Sequence, residues 1–200
     1  GETYDARRTP TSWSSAKTTA ERNVKVIPFE GPEVRIRDKE LWRHPLKTEI
    51  YSKTKDTGTT YGQIVVDREV GDKPFTLHKG ETAVIDMGQN MVGWIWFDAK
   101  ASRGTEITFR HGEMLNYNGD KGRLDDGPGG SVWTYNLREA KATLKYVFRG
   151  DKKGEQYRPH HTFMGFRYVS ITATDDVQIL KITGQVVGTE IEEWSTFECS

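Results

Sequence analysis

The sequence predicts an all-β chain, an antiparallel β-sandwich with few or no helices. Three observations carry that expectation. Helical periodicity is hard to find along the 200 residues. Short β-branched and aromatic runs recur between Gly, Asp, Asn and Pro punctuation. At least four of those runs alternate apolar with polar positions, the mark of strands buried on one face, which antiparallel sheets allow and parallel α/β sheets do not.

Taken in order, the first candidate strands are Val24 to Phe29 and Val34 to Arg37, two apolar runs parted by Gly31-Pro32. Gly62 to Val66 follows a Lys/Thr/Gly-rich loop, Lys53 to Tyr61. Thr82 to Asp86 and Gly93 to Ala99 flank Met87-Gly88-Gln89-Asn90-Met91-Val92, where two glycines bracket a polar pair and allow a tight turn. Beyond it Trp94, Trp96 and Asp98 fall on one face and Ile95 and Phe97 on the other. In Thr105 to His111, Ile107, Phe109 and His111 oppose Glu106, Thr108 and Arg110. Ser131 to Tyr135 and Leu144 to Arg149 come next, with a short helical turn expected between them at Leu137 to Thr143. In Arg167 to Thr172, Tyr168, Ser170 and Thr172 oppose Val169 and Ile171, and Val177 to Val187 is the last run.

Two further segments resist a strand assignment. Arg8 to Arg22 is rich in Ser and Thr and reads as an ordered surface linker. Asn116 to Gly130 holds five glycines, a proline and three aspartates and reads as an insertion loop. The division expected is residues 1–22 as linker, 23–194 as one sandwich and 195–200 as the lead into a following segment.

The totals narrow the function classes. Lys plus Arg and Asp plus Glu both count 29, so no long-range field favours nucleic acid or an anionic membrane. A single cysteine, Cys199, permits no internal disulfide and no cysteine cluster for zinc. No apolar run approaches the roughly 18 to 20 residues of a membrane span. Gly1-Glu2-Thr3-Tyr4 carries no signal-peptide pattern and reads as mid-protein sequence.

Several motifs, in chain order, resemble the bacterial α-L-rhamnosidases. Gly1 to Arg7 is similar to the exit from that family's N-terminal sandwich. Asp86-Met87-Gly88-Gln89-Asn90-Met91-Val92-Gly93-Trp94 resembles its Asp-Phe-Gly-Gln-Asn-x-x-Gly-Trp element. Arg110-His111-Gly112-Glu113-Met114-Leu115, Leu137 to Thr143 with Tyr146 to Gly150, Tyr157-Arg158-Pro159 with Gly165-Phe166-Arg167-Tyr168-Val169, and Phe197 to Ser200 are similar to its later blocks. Met164 departs from a usual His, and the Asn116 to Gly130 loop is longer than usual. The resemblance implies a jelly-roll or concanavalin-like sandwich lying just before a helical catalytic barrel. It implies that the acids of an inverting hydrolysis sit in that barrel, with neighbouring domains and a rhamnose-containing glycan as partners. No cofactor is implied.

Candidate chemistry is then weighed residue by residue. Glycoside cleavage needs two carboxyl groups about 5 to 9.5 Å apart; Asp86 and Glu113 are on neighbouring motifs, but Glu113 pairing with Arg110 or Arg138 on a sheet face is the plainer reading, and no catalytic residue is assigned. Sugar binding needs an aromatic platform with forked polar groups. Trp94, Trp96 and Trp133 are the platform candidates and Asp86, Gln89 and Asn90 the polar ones; the competing reading puts tryptophan in the core and lets Gln89 and Asn90 cap their own turn. Asn116 to Gly127 offers oxygens for calcium but does not fit the twelve-residue loop, so a plain solvated loop is expected and no metal ligand is assigned. His160 and His161 are adjacent on extended chain and point apart, which suits structural roles.

Overall fold

A computed structural model describes residues 1–9, 36–190 and 196–199. The candidate strand Val24 to Phe29, the first half of Val34 to Arg37 and most of the Arg8 to Arg22 linker lie outside the described residues.

The strands are β1 (Glu2–Asp5), β2 (Ile36–Arg43), β3 (Lys47–Lys55), β4 (Gln63–Glu69), β5 (Phe75–Leu77), β6 (Thr82–Ala101), β7 (Glu106–Gly112), β8 (Met114–Leu115), β9 (Val132–Trp133), β10 (Thr143–Val147), β11 (Glu155–Tyr157), β12 (Met164–Ala173) and β13 (Val177–Thr189). Among the described residues helix is confined to 3₁₀ turns of three residues. No helix of the described residues is long and apolar enough to cross a membrane.

One long strand organises the sandwich. The first half of β6 pairs with β3 on one side and β12 on the other, in a layer that continues through β7 and β10 to β1. Its second half pairs with β13 and β11, and β13 carries β2 and β5. All these pairings are antiparallel except β1 with β10. Glu2–Asp5, inside the stretch read as linker, is thus an edge strand of the sandwich.

The expected tight turn is the main correction. Thr82–Ala101 is one strand of 20 residues, not two strands parted by a tight turn. Phe166 of β12 pairs with Met91 and Tyr168 with Asp86, so positions 87, 88, 89 and 90 stand opposite the single position 167. Gly88 takes φ +79° in this wide bulge, which a left-handed glycine permits at low cost. Three smaller expectations also shift. Lys53–Lys55 extend β3 into the expected loop, because β4 pairs with it to the end. Only Val132–Trp133 of Ser131 to Tyr135 is strand, and the helical turn falls at Tyr135–Leu137, earlier than Leu137 to Thr143.

The alternation predicted for β7 and β12 sets their buried faces: Ile107, Phe109, Val169 and Ile171 are fully buried. Phe97, also fully buried, joins the two layers. Its ring stacks on Phe109 at 5.0 Å and meets Tyr146 edge-on at 5.3 Å, so one side chain of the second layer contacts two strands of the first.

His111 shares this interior. Its Nδ1 lies 2.9 Å from the Ala142 carbonyl and its ring meets Phe166 at 4.8 Å. Burial drives its pKa down from 6.5 to about 4, with the Ala142 carbonyl only partly opposing. The unfolded chain therefore takes up a proton that the folded chain refuses, and stability falls as pH drops from 6.5 towards 4. The loss expected over that window is about 3 kcal/mol. Urea unfolding across pH should show it in the native chain and a flatter slope in His111→Phe; equal slopes would contradict a neutral buried imidazole.

Candidate functional site

The six residues singled out for sugar contact occupy three places. Asp86, Gln89 and Asn90 belong to the bulge, Trp94 and Trp96 to the outer face of the second half of β6, and Trp133 to β9.

In the bulge each of the three polar side chains has a partner. Asp86 accepts from Arg167 Nε and Nη2, each at 2.8 Å, and from the Gly88 N–H at 2.7 Å. Partial burial raises its pKa, but the guanidinium and the backbone donor outweigh that and hold it below the usual carboxylate range. Gln89 accepts from Arg43. Asn90 donates to Glu113 at 2.9 Å, and the other Glu113 oxygen lies 3.4 Å from Asn136 Nδ2. Glu113 is thus held by two amides rather than by Arg110 or Arg138, and Asn90 braces a neighbouring strand end instead of capping its own turn. Arg167 is the residue that sequence reasoning missed: its place opposite the bulge depends on a register no local pattern reveals.

The period of two places Trp94 and Trp96 as expected, half-exposed and opposite the buried Ile95 and Phe97. Cations cover their rings. Arg158 sits over Trp94 at 5.0 Å and Lys181 over Trp96 at 5.7 Å. Trp94 Nε1 donates to Gln185 at 3.0 Å. Beside Trp96 opens a cleft of about 330 Å³ lined by Tyr4, Tyr146, Tyr157 and Arg158, with His160 at its margin. His160 and His161 serve structure there: their N–H groups donate to Glu2, and the His160 ring packs edge-on against Tyr157 at 5.4 Å.

Trp133 is tied to the long loop, its Nε1 donating to the Leu124 carbonyl at 2.8 Å and its ring stacking with Tyr135. The loop is built around carboxylates that serve its own backbone. Asp125 accepts from the N–H groups of Tyr117, Asn118, Gly119 and Asp120 at 2.8 to 3.1 Å. Burial raises its pKa, and these four donors more than reverse that. Asp126 accepts from Thr134 N–H and Oγ1 at 3.0 and 2.6 Å. These hydrogen bonds order the loop, and the buried Asn116 and Asp125 depart from the solvated loop that the sequence suggests.

Comparison with known proteins decides the family. Residues 76–188 match the model of the bacterial alpha-L-rhamnosidase concanavalin-like domain. The chain belongs to that family. An α-L-rhamnosidase of Streptomyces avermitilis is 30% identical over 99% of this chain, and one of Formosa agariphila 28% over 88%. The crystal structure of the Streptomyces avermitilis α-L-rhamnosidase complexed with L-rhamnose matches 94% of the chain with a TM-score of 0.58 and 28% identity. That of α-L-rhamnosidase from Dictyoglumus thermophilum, at 24% identity and a TM-score of 0.56, shares the fold. The chain spans only 16% and 15% of the two curated relatives.

Within this concanavalin-like domain the matched region runs from β5 almost to the end of β13. It includes the bulge, both exposed tryptophans and the long loop, so all six candidate residues lie on the family's own framework. One electrostatic property runs across the domain. Glu2, Asp5, Glu81, Asp86, Asp125, Asp151 and Asp176 are all held below the usual carboxylate range.

Proposed function

We propose that this chain is an accessory β-sandwich of an α-L-rhamnosidase that removes terminal α-L-rhamnosyl residues from glycans or glycosides. It packs against neighbouring domains and does not carry the hydrolytic residues. The observation that carries this is the state of the carboxylates. A glycosidase acid must hold its proton near neutral pH, which requires a raised pKa. Here the Arg167 guanidinium holds Asp86 below the usual carboxylate range, and Glu113 is committed to two amides. Phe197, nine-tenths exposed, is available to a neighbouring body.

A specific feature favours a second reading, direct sugar contact: the cleft beside Trp96 with its tyrosines. Two measurements on the 200-residue chain separate these readings. An aryl α-L-rhamnoside assay should show no turnover above buffer; saturable turnover lost in Asp86→Asn or Glu113→Gln would overturn the accessory role. Calorimetric titration with L-rhamnose should show no saturable heat, whereas binding lost in Trp94→Ala or Trp96→Ala would establish the sugar-binding module.

A further inference from the structure

The geometry points to an anion-recognising saccharide groove on the outer face of the β7 layer, built for a carboxylated sugar such as a uronate. The groove encloses about 650 Å³ and is lined by Arg110, Asp126, Thr134, Tyr135, Asn136 and Arg138. This inference rests on family membership and stands whether or not the domain has a scaffolding role.

Two guanidinium groups set its character. Arg110 projects outward from β7, where its register partners are Thr143 and Ser170, neither of them acidic. Arg138 lies on the segment entering β10. Both are exposed, and among the described residues neither guanidinium has a hydrogen-bond or ion-pair partner. Elsewhere in the domain arginines find acceptors or a ring: Arg7, Arg68, Arg149 and Arg167 pair with carboxylates, Arg43 and Arg103 donate to carbonyl oxygens, and Arg123 lies over Tyr117. Two unmatched arginines lining one groove are therefore a local excess of donors in fork geometry, suited to a planar carboxylate.

The backbone holds Arg138 there at a cost. Arg138 has φ +53° and Ala142 φ +44°, left-handed values that non-glycine residues seldom adopt. Strain of that kind persists where the surroundings over-determine it, and it clusters at binding sites.

The remaining lining favours a sugar over an acidic peptide. Tyr135 is 56% exposed and offers a ring face to sugar C–H groups. Asn136 adds an amide. Asp126 uses Oδ2 for Thr134, which leaves Oδ1 as an acceptor for a hydroxyl. An acidic peptide brings carboxylates for the arginines but no row of hydroxyls, while a uronate brings both a carboxylate for the arginines and hydroxyls for Asp126 and Asn136.

The test is calorimetric titration of the chain with trigalacturonate, its full methyl ester and poly-L-glutamate. Expected is saturable, salt-weakened binding of the acid alone, about tenfold weaker in Arg110→Ala and in Arg138→Gly, since each removes a charge-assisted contact. Arg138→Gly also relieves the left-handed backbone, so its melting temperature should be unchanged or higher and loss of binding cannot be loss of fold. Absence of saturable heat with the acid would overturn the inference. So would binding indifferent to both substitutions, equal binding of the methyl ester, which assigns the groove to neutral sugar, or equal binding of poly-L-glutamate, which assigns it to acidic protein.

Discussion

Gly93→Ala is expected to cost about 4 kcal/mol or more, or to prevent folding altogether. At this position β6 has Met164 of β12 on one side and Val186 of β13 on the other, so it is where the strand passes between layers. An added Cβ would lie 2.0 Å from the backbone carbonyl oxygen of Gln185 and 3.0 Å from its carbon. A backbone carbonyl cannot swing aside as a side chain can. Gly93 is absent from the residues with positive φ, so alanine meets no conformational penalty of its own and the contact alone decides the effect. Urea unfolding of Gly93→Ala beside Val92→Ala, an exposed neighbour, isolates it. The neighbour should change stability by less than about 0.5 kcal/mol apart from a small propensity effect. A Gly93→Ala chain within about 1 kcal/mol of the native one would show that β6 does not need the close approach of β13.

The second large effect is expected at Glu155, which is 3% exposed at the start of β11. Its carboxylate accepts from the Tyr146 hydroxyl at 2.8 Å and from the N–H groups of Arg149, Gly150 and Asp151 at 3.1, 2.9 and 3.0 Å. One side chain thus closes the connection between β10 and β11 and ties it to the aromatic core. Glu155→Ala strands four donors, and at roughly 1 to 3 kcal/mol for each buried unsatisfied group, less what water recovers, the loss expected is about 4 kcal/mol. Glu155→Gln keeps the shape but turns an amide NH₂ towards donors, so about half that loss is expected. Chemical denaturation of both variants checks the order; a Glu155→Ala loss below that of Glu155→Gln would contradict the role of the carboxylate as acceptor.

How much of this was legible depended on whether a residue's neighbours were local. The faces of β7 and β12 could be read because strand alternation writes the core into the sequence, Phe109 and Ile171 inward, Arg110 and Ser170 outward. The same period placed Trp94 and Trp96 on the outer face. The continuity of β6 could not be read, because Gly88 and Gly93 look like hairpin punctuation and only pairing with β12 and β13 shows a bulge and a crossing. Strands of three residues such as β5 and β11 are too short to show a period. At the candidate site the residue types were visible but their partners were not. Arg158 reaches its indole from the segment after β11 and Lys181 from β13, and Arg167 finds Asp86 across 81 positions. The unpaired state of Arg110 and Arg138 is equally non-local, since the sequence offers Glu113 between them and the fold gives that carboxylate to Asn90 and Asn136.

The proposed accessory role is tested most directly in a longer chain that carries this domain. Heat inactivation of the rhamnoside hydrolysis proposed for that chain would be followed with and without Gly93→Ala, alongside the unfolding of this domain. A supporting sandwich predicts that Gly93→Ala lowers the inactivation temperature in step with the domain's own unfolding, while KM of the enzyme that remains folded stays close to native. Full hydrolytic activity that persists above the temperature at which this domain has unfolded would contradict it.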